Sequence, residues 1–188
     1  MITVRETSVA IFGAWRLAHF DAGGLQFFEN TVEAFWRSFF AALLVLPIYV
    51  IMFVLRARVP EITSGPFTVL VVESIAYVIA WTAFPLAMFY LASHLGLSKS
   101  YCRYIVAYNW AAVLQIALLV AVAAIAYSEI VPRGVSALLS VIAMFAIMSY
   151  QWFIARTALE VTPAVAVGIV LLDLFISILI DAYARSLL

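Results

Sequence analysis

Five apolar stretches, each about as long as a membrane-crossing helix, follow one another between short polar breaks and leave this chain few ways to fold. A helix needs roughly 20 mostly apolar residues to cross about 30 Å of hydrocarbon. Read between charged and turn-forming residues, the stretches are about 38–55, 67–93, 103–127, 133–155 and 163–183. Arg56 and Arg58 end the first, and Pro60, Gly65 and Pro66 interrupt the connection Ala57–Pro66. His94–Cys102 join the second to the third. Pro132 and Arg133 open the fourth. Thr162-Pro163 opens the fifth, where threonine serves the orphan amides and proline at the first helical position loses no bond. Backbone in lipid must satisfy its own hydrogen bonds, which leaves helices or a closed barrel. Unbroken apolar runs, rather than two-residue alternation, select helices. The expected fold is all-α: a polytopic membrane bundle of five transmembrane helices (38–188) preceded by an amphipathic, aromatic N-terminal interfacial segment (1–37).

Composition closes the soluble alternatives. Of 188 residues, 68% are apolar and 11% charged, against about 45–50% and about 25% in soluble domains. A fold this small leaves roughly a third of its surface wet, so with a mean hydropathy of +1.16 the apolar excess has nowhere to hide from water. Ten basic and ten acidic residues cancel, with no basic stripe to track phosphates, so no nucleic-acid partner is expected. Cys102 stands alone, which excludes an intrachain disulfide and a thiolate cluster, and it reads as a packing residue. His19 and His94, one in the polar N-terminal segment and one at a span end, are poorly placed to share a haem. The one lysine, Lys99, falls in a loop, so no retinal Schiff base is expected. HExxH, GxGxxG and the Walker loop are absent, as are loop carboxylates clustered for magnesium. Gly134-Val135-Ser136-Ala137 lies at a span edge without a histidine partner in the fifth span. No cofactor, no metal and no enzymatic activity are expected.

Before the first stretch, Val9, Ile11, Phe12, Trp15 and Phe20 interleave with Arg16 and His19, a mixture suited to the headgroup layer. Thr7–Phe20 reads as an interfacial helix, closed by the turn signal Asp21-Ala22-Gly23-Gly24. Asn30 followed by Glu33 reads as a helix N-terminus. The charges scattered over 1–37 leave no continuous apolar stretch for a cleavable signal, so the first span is expected to direct insertion. Arg5, Arg16, Arg37, Lys99, Arg103 and Arg156 fall on one side, and Arg56, Arg58, Arg133 and Arg185 on the other. That bias places the N-terminus in the cytoplasm. Arginine outnumbers lysine and alanine is abundant, a usage associated with bacterial chains, and the expected location is a bacterial cytoplasmic (inner) membrane.

Ionisable groups at membrane depth cost about 2.5–3.5 kcal/mol on insertion scales and need a reason. Glu73 lies about two turns into the second span, with Tyr77 on the same face. Asp173 lies near the middle of the fifth, with Ser177 and Asp181 at four-residue steps. Tyr101, Tyr104, Tyr108 and Gln115 share a stripe on the third span with Asn109 beside it, and Ser136, Ser140 and Gln151 repeat the pattern on the fourth. One reading gathers Glu73, Asp173, Asn109 and Gln115 into a proton or cation path. The other makes these stripes helix–helix seams, joined by interhelical hydrogen bonds worth about 0.6 kcal/mol each. No basic residue lies at depth to neutralise Asp173, which leaves protonation or cavity water to do so. Asp173 and Asp181 are about 12 Å apart along one helix, too far to share a proton. Pro47 and Pro85 bend their helices and are expected to free the carbonyls of Leu43 and Trp81.

Two local patterns carry a family likeness. Leu91-Ala92-Ser93-His94-Leu95-Gly96-Leu97-Ser98-Lys99-Ser100 combines a helix end, a glycine turn and a polar restart, followed by the tyrosine-bearing run Tyr104–Tyr108. Trp152, Ala158-Leu159, Thr162 and Ala166 mark a tryptophan-bearing helix, a short turn and an alanine-rich last span. In these features and in topology over 38–185 the chain resembles the Yip family, departing from it at Trp110 and in its single turn glycine. The resemblance implies a non-enzymatic protein of membrane organisation or trafficking. Its eukaryotic members are linked to Rab-type GTPases, a partner not carried over here. The expected function is a membrane scaffold or accessory subunit that packs against lipids, other membrane proteins or copies of itself. The alternative is a small oligomeric transporter or channel using Glu73 and Asp173.

Overall fold

The computed structural model describes residues 3–56, 65–128 and 131–188. Regular structure among them is helical throughout: α1 Val4–Ala18, a 3-10 helix Ala22–Phe27, α2 Val32–Ser38, α3 Phe40–Arg56, α4 Pro66–His94, α5 Ser98–Tyr127, α6 Arg133–Leu159 and α7 Pro163–Ser186. Among the described residues five helical stretches are long and apolar enough to cross a membrane: Val32–Ile51, in which α2 runs into α3, and α4 to α7. Of the connection expected at Ala57–Pro66, residues 57–64, with Arg58 and Pro60, lie outside the described residues.

The helices overrun the apolar stretches read from the sequence, because a charge ends a hydropathy run without ending a helix. The Thr31 hydroxyl accepts the Ala34 N–H at 3.1 Å, so the first candidate span begins at Val32, ahead of Glu33 and Arg37, rather than at Ser38. Asn30, read as part of that start, serves elsewhere. Its side chain donates to the Lys99 carbonyl at 2.5 Å and accepts the Arg103 N–H at 3.0 Å, tying the 3-10/α2 connection to one turn of α5. Helix α5 accordingly starts at Ser98, and Lys99 lies in its first turn rather than in a loop. Asn30→Ala removes both bonds and should lower stability by about 1–2 kcal/mol, read as a lower unfolding midpoint in detergent. An unchanged midpoint would show that the clamp is idle.

Between α4 and α5 the chain turns in three residues. Gly96 has φ +71°, and the bonds Leu97 N–H to Ala92 O (2.8 Å) and Gly96 N–H to Ser93 O (3.4 Å) close a Schellman cap. Any other residue type at 96 would carry a Cβ into the left-handed region. The last connection is equally short: the Thr162 hydroxyl accepts the Val165 N–H at 3.4 Å and Pro163 opens α7.

Helix α5 is the axis of the bundle and packs against α1, α2, α3, α4 and α6, while α7 closes the far side against α4 and α6. The shared core alternates large and small side chains: Phe84, Met88, Ile105, Ile154 and Ile169 interdigitate with Ala107, Ala111, Ala155 and Ala158. Alanines let backbones approach where lipid supplies no hydrophobic drive between helices. The N-terminal segment joins this packing. Its helix α1, expected at Thr7–Phe20, runs Val4–Ala18, buries Ala10, Gly13, Ala14 and Leu17 against the bundle, and turns Phe12 and Trp15 outward. The Tyr150 hydroxyl donates to the Ala14 carbonyl at 2.7 Å and pins α1 to α6. Phe20, just past the end of α1, takes φ 59°, which costs a non-glycine residue energy, and its ring meets that of Phe153 edge-on at 5.2 Å. At most 22% of the most apolar window of any candidate span is buried within the chain, so most of each helix presents Leu, Ile, Val and Phe outward. Hydrocarbon fits that surface and water does not.

Candidate functional site

The polar side chains of the candidate spans meet across helix seams, and their geometry follows from which face each helix presents. On α7, Asp173 is buried at 7% exposure. The Tyr108 hydroxyl of α5 donates to its Oδ1 at 2.7 Å, and the Tyr108 ring lies against Phe84 of α4 at 4.7 Å. Between α5 and α6, the Gln151 amide donates to Gln115 Oε1 at 3.2 Å, while Gln115 Nε2 is enclosed and unpartnered among the described residues. Tyr104 is enclosed beside Tyr108 and against Phe84. The tyrosine stripe of α5 therefore faces α4 and α7, and Gln115 faces α6.

Glu73 belongs to a different seam. The Tyr49 hydroxyl of α3 donates to its Oε2 at 2.5 Å. Tyr77, one turn along from Glu73, donates instead to the Ala42 carbonyl at 2.6 Å, and the two tyrosine rings lie 4.6 Å apart. The carbonyl used is one residue ahead of Leu43, which Pro47 was expected to free: the bend opens the ladder over that turn, and Ala42 lies within reach of α4. Likewise, Tyr101 donates at 2.9 Å to the carbonyl of Pro85 itself rather than to that of Trp81.

Asn109 is fully enclosed and donates to the Ser38 hydroxyl at 2.8 Å, which in turn donates to Phe35 O at 2.7 Å. This joins α5 to the end of α2. Asp181 leaves the stripe drawn through Asp173 and Ser177. Each four-residue step rotates by about 40° beyond a full turn, so Ser177 is exposed and Asp181 pairs with Arg185 one turn on. Glu73 and Asn109 thus sit on seams of their own, while Gln151 of α6, which donates to Gln115 and also lies against Asp173, links the Asp173 and Gln115 pairs. The sequence reading passed over Tyr49 and Ser38; the signal was a lone hydroxyl in each case, one inside an apolar run and one at its edge.

At the start of the first candidate span, Arg37 gathers Glu6 at 2.9 Å and Glu29 at 3.3 Å, and ahead of it Arg16 meets Asp21 at 2.5 Å. The Thr3 N–H, followed by its hydroxyl, holds the Glu6 carboxyl below the usual range. The Gly23 N–H and then Arg16 do the same for Asp21. A carboxyl depressed in the folded state contributes stability above its unfolded pKa and loses it as pH falls through the folded one. Opening of α1, followed by hydrogen exchange corrected for intrinsic rates, should therefore increase below about pH 4 and be unchanged between neutral pH and about pH 5. Equal opening at all these values would contradict the assignment. Among the described residues no three metal-ligating side chains converge.

Comparison with known proteins finds no matching family model, no matching curated protein and no matching solved structure.

Proposed function

We propose that this chain is a non-enzymatic, multi-pass membrane protein that acts as a scaffold or accessory subunit, packing against lipids, other membrane proteins or copies of itself. The observation that carries the reading is the fate of its polar groups. Asp173 and Glu73 each receive a tyrosine hydroxyl from a neighbouring helix, on separate seams, and do not line up as a path. The outward faces of α4 and α6, with Phe67, Leu70, Val78, Leu138, Ile142 and Phe145, offer apolar surface for lateral association. The glycine turn at Gly96 and the tryptophan-bearing end of α6 support a Yip-like protein. The basic-residue bias supports a cytoplasmic N-terminus in a bacterial inner membrane, with Phe12, Trp15 and Arg16 of α1 at the headgroup layer.

Purification from native membranes in mild detergent tests this reading. A stable complex with other membrane proteins or with itself, together with proteoliposomes that show no pH-dependent flux, is the expected result. A lone chain that conducts, and stops conducting as Asp173→Asn, would replace the scaffold with a transporter.

A further inference from the structure

We propose that Lys99 and Arg103, one turn apart at the start of α5, bind the phosphate of an anionic phospholipid. The chain supplies this pair with no counter-charge. Arg16, Arg37 and Arg185 each meet a carboxylate, and Arg156 lies over the Trp152 ring at 5.3 Å. Arg103 is half-buried, and its Nε is enclosed without a partner. Among the described residues no ion pair joins it or Lys99 to an acid. Glu29, beside the Asn30 that touches this turn of α5, is directed to Arg37 at 3.3 Å. Residues 1–2 carry no acidic side chain. The helix ends that adjoin residues 57–64 and 129–130 lie about 30 Å or more from the level of Arg103 along α4 and α5.

Helix electrostatics work against such a pair on its own. Like charges one turn apart on a helix face repel, and cations in the opening turns oppose the helix dipole. The Asn30 side chain nonetheless fixes this turn, bonded to the Lys99 carbonyl and the Arg103 N–H. An anion held by both side chains removes the repulsion. A phosphate suits them, because its oxygens match the planar donor fork of a guanidinium and accept from an ammonium as well. The level of the pair selects a phosphate carried by lipid. Tyr101, between the two in sequence, has Phe35 and Phe89 against its ring at 5.7 and 5.6 Å, and their neighbours Trp36 and Tyr90 are exposed. Such a girdle of rings marks the headgroup level of a crossing helix. The proposal rests on the reading of the chain as a membrane protein packed against lipid, and is indifferent to the choice between scaffold and transporter.

The test uses the whole chain in nanodiscs of phosphatidylcholine, with or without a minor fraction of phosphatidylglycerol, and inorganic phosphate as the lipid-free anion. Lys99 is the one lysine of the chain, so its acylation by an N-hydroxysuccinimide ester, read by mass spectrometry of the peptide that carries it, reports on this site alone. Phosphatidylglycerol should slow that labelling about fivefold or more, and saturably, while inorganic phosphate should not. Arg103→Gln should return the rate to near that in phosphatidylcholine alone. Arg133→Gln, an exposed arginine at the opposite end of the bundle, should leave the protection intact. Thermal unfolding of the unsubstituted chain in detergent covers the case in which Arg103→Gln does not fold: a short-chain phosphatidylglycerol should raise the midpoint saturably, and the matching phosphatidylcholine should not. Equal labelling of Lys99 with and without phosphatidylglycerol, protection that survives Arg103→Gln, or protection by inorganic phosphate in place of the lipid would each overturn the proposal. A chain that folds in the discs and shows no protection would remove the lipid site and leave the membrane reading as it stands.

Discussion

Gly24→Ala should unseat the N-terminal helix and lower stability by about 3 kcal/mol, the upper part of the range for forcing atoms into a filled site. A Cβ on Gly24 would lie 2.6 Å from the Gly13 carbonyl oxygen, 2.8 Å from Leu17 Cγ and 3.0 Å from the Leu17 nitrogen. Two of those three atoms are backbone of α1 and cannot swing aside. Gly13 faces the same crossing, where its own Cβ would lie 2.8 Å from Phe27 Cβ. The two glycines thus let the 3-10 helix cross α1 at backbone distance, and α1 is what covers α5 and α6 with Ala10, Ala14 and Leu17. Expected signs are a lower thermal midpoint in detergent and early proteolysis before residue 30. Gly168→Ala provides the contrast, since nothing lies within 4 Å of its Cβ position in α7. It should raise stability by about 0.5–1 kcal/mol through the helical preference for alanine alone. If both substitutions behave alike, the crossing is not close-packed.

What the sequence made legible follows from what lipid demands. A crossing helix must be apolar along its whole length, so the long helices announce themselves in 67–93, 103–127, 133–155 and 163–183, and the observed elements differ from these mainly by polar end turns. Local capping is legible for the same reason: the chemistry of Thr162-Pro163 lies within a few residues of the bonds it makes. Pairing across seams is not. Tyr77 stands one turn from Glu73 and looks like its partner, yet the rotation of α4 sends its hydroxyl to Ala42 and leaves Glu73 to Tyr49 on α3. Tyr108 and Asp173 both stand out in the sequence, on separate stripes, and only the fold, which brings α7 within side-chain reach of α5, shows that they meet. The i,i+4 pair Asp181 and Arg185 was readable by spacing, and the longer stripe through Asp173 obscured it. The docking of α1 was hidden because its buried face is alanine and glycine with the single leucine Leu17, while its conspicuous aromatics point away.

Tyr108→Phe and Asp173→Leu should each cost about 1–3 kcal/mol, the penalty for leaving one buried member of a hydrogen bond without its partner. An ordinary interhelical bond in a membrane protein is worth about 0.6 kcal/mol because the separated helices find other partners. Asp173 differs in being enclosed, at 7% exposure, so when Tyr108 goes it has Gln151 beside it but little access to water. The double variant removes both members and should cost less than the sum of the single changes by about 1–2 kcal/mol. Asp173→Asn keeps an oxygen that can accept from Tyr108 and should fold and express like the parent chain. Reversible unfolding in mixed micelles, run on all four combinations, measures the coupling. A coupling below about 0.5 kcal/mol would mean that the Tyr108–Asp173 bond does not hold α5 to α7. The carboxyl of Asp173 would then need a reason other than packing for its place in the middle of the last helix, and the transporter reading would be the one left standing.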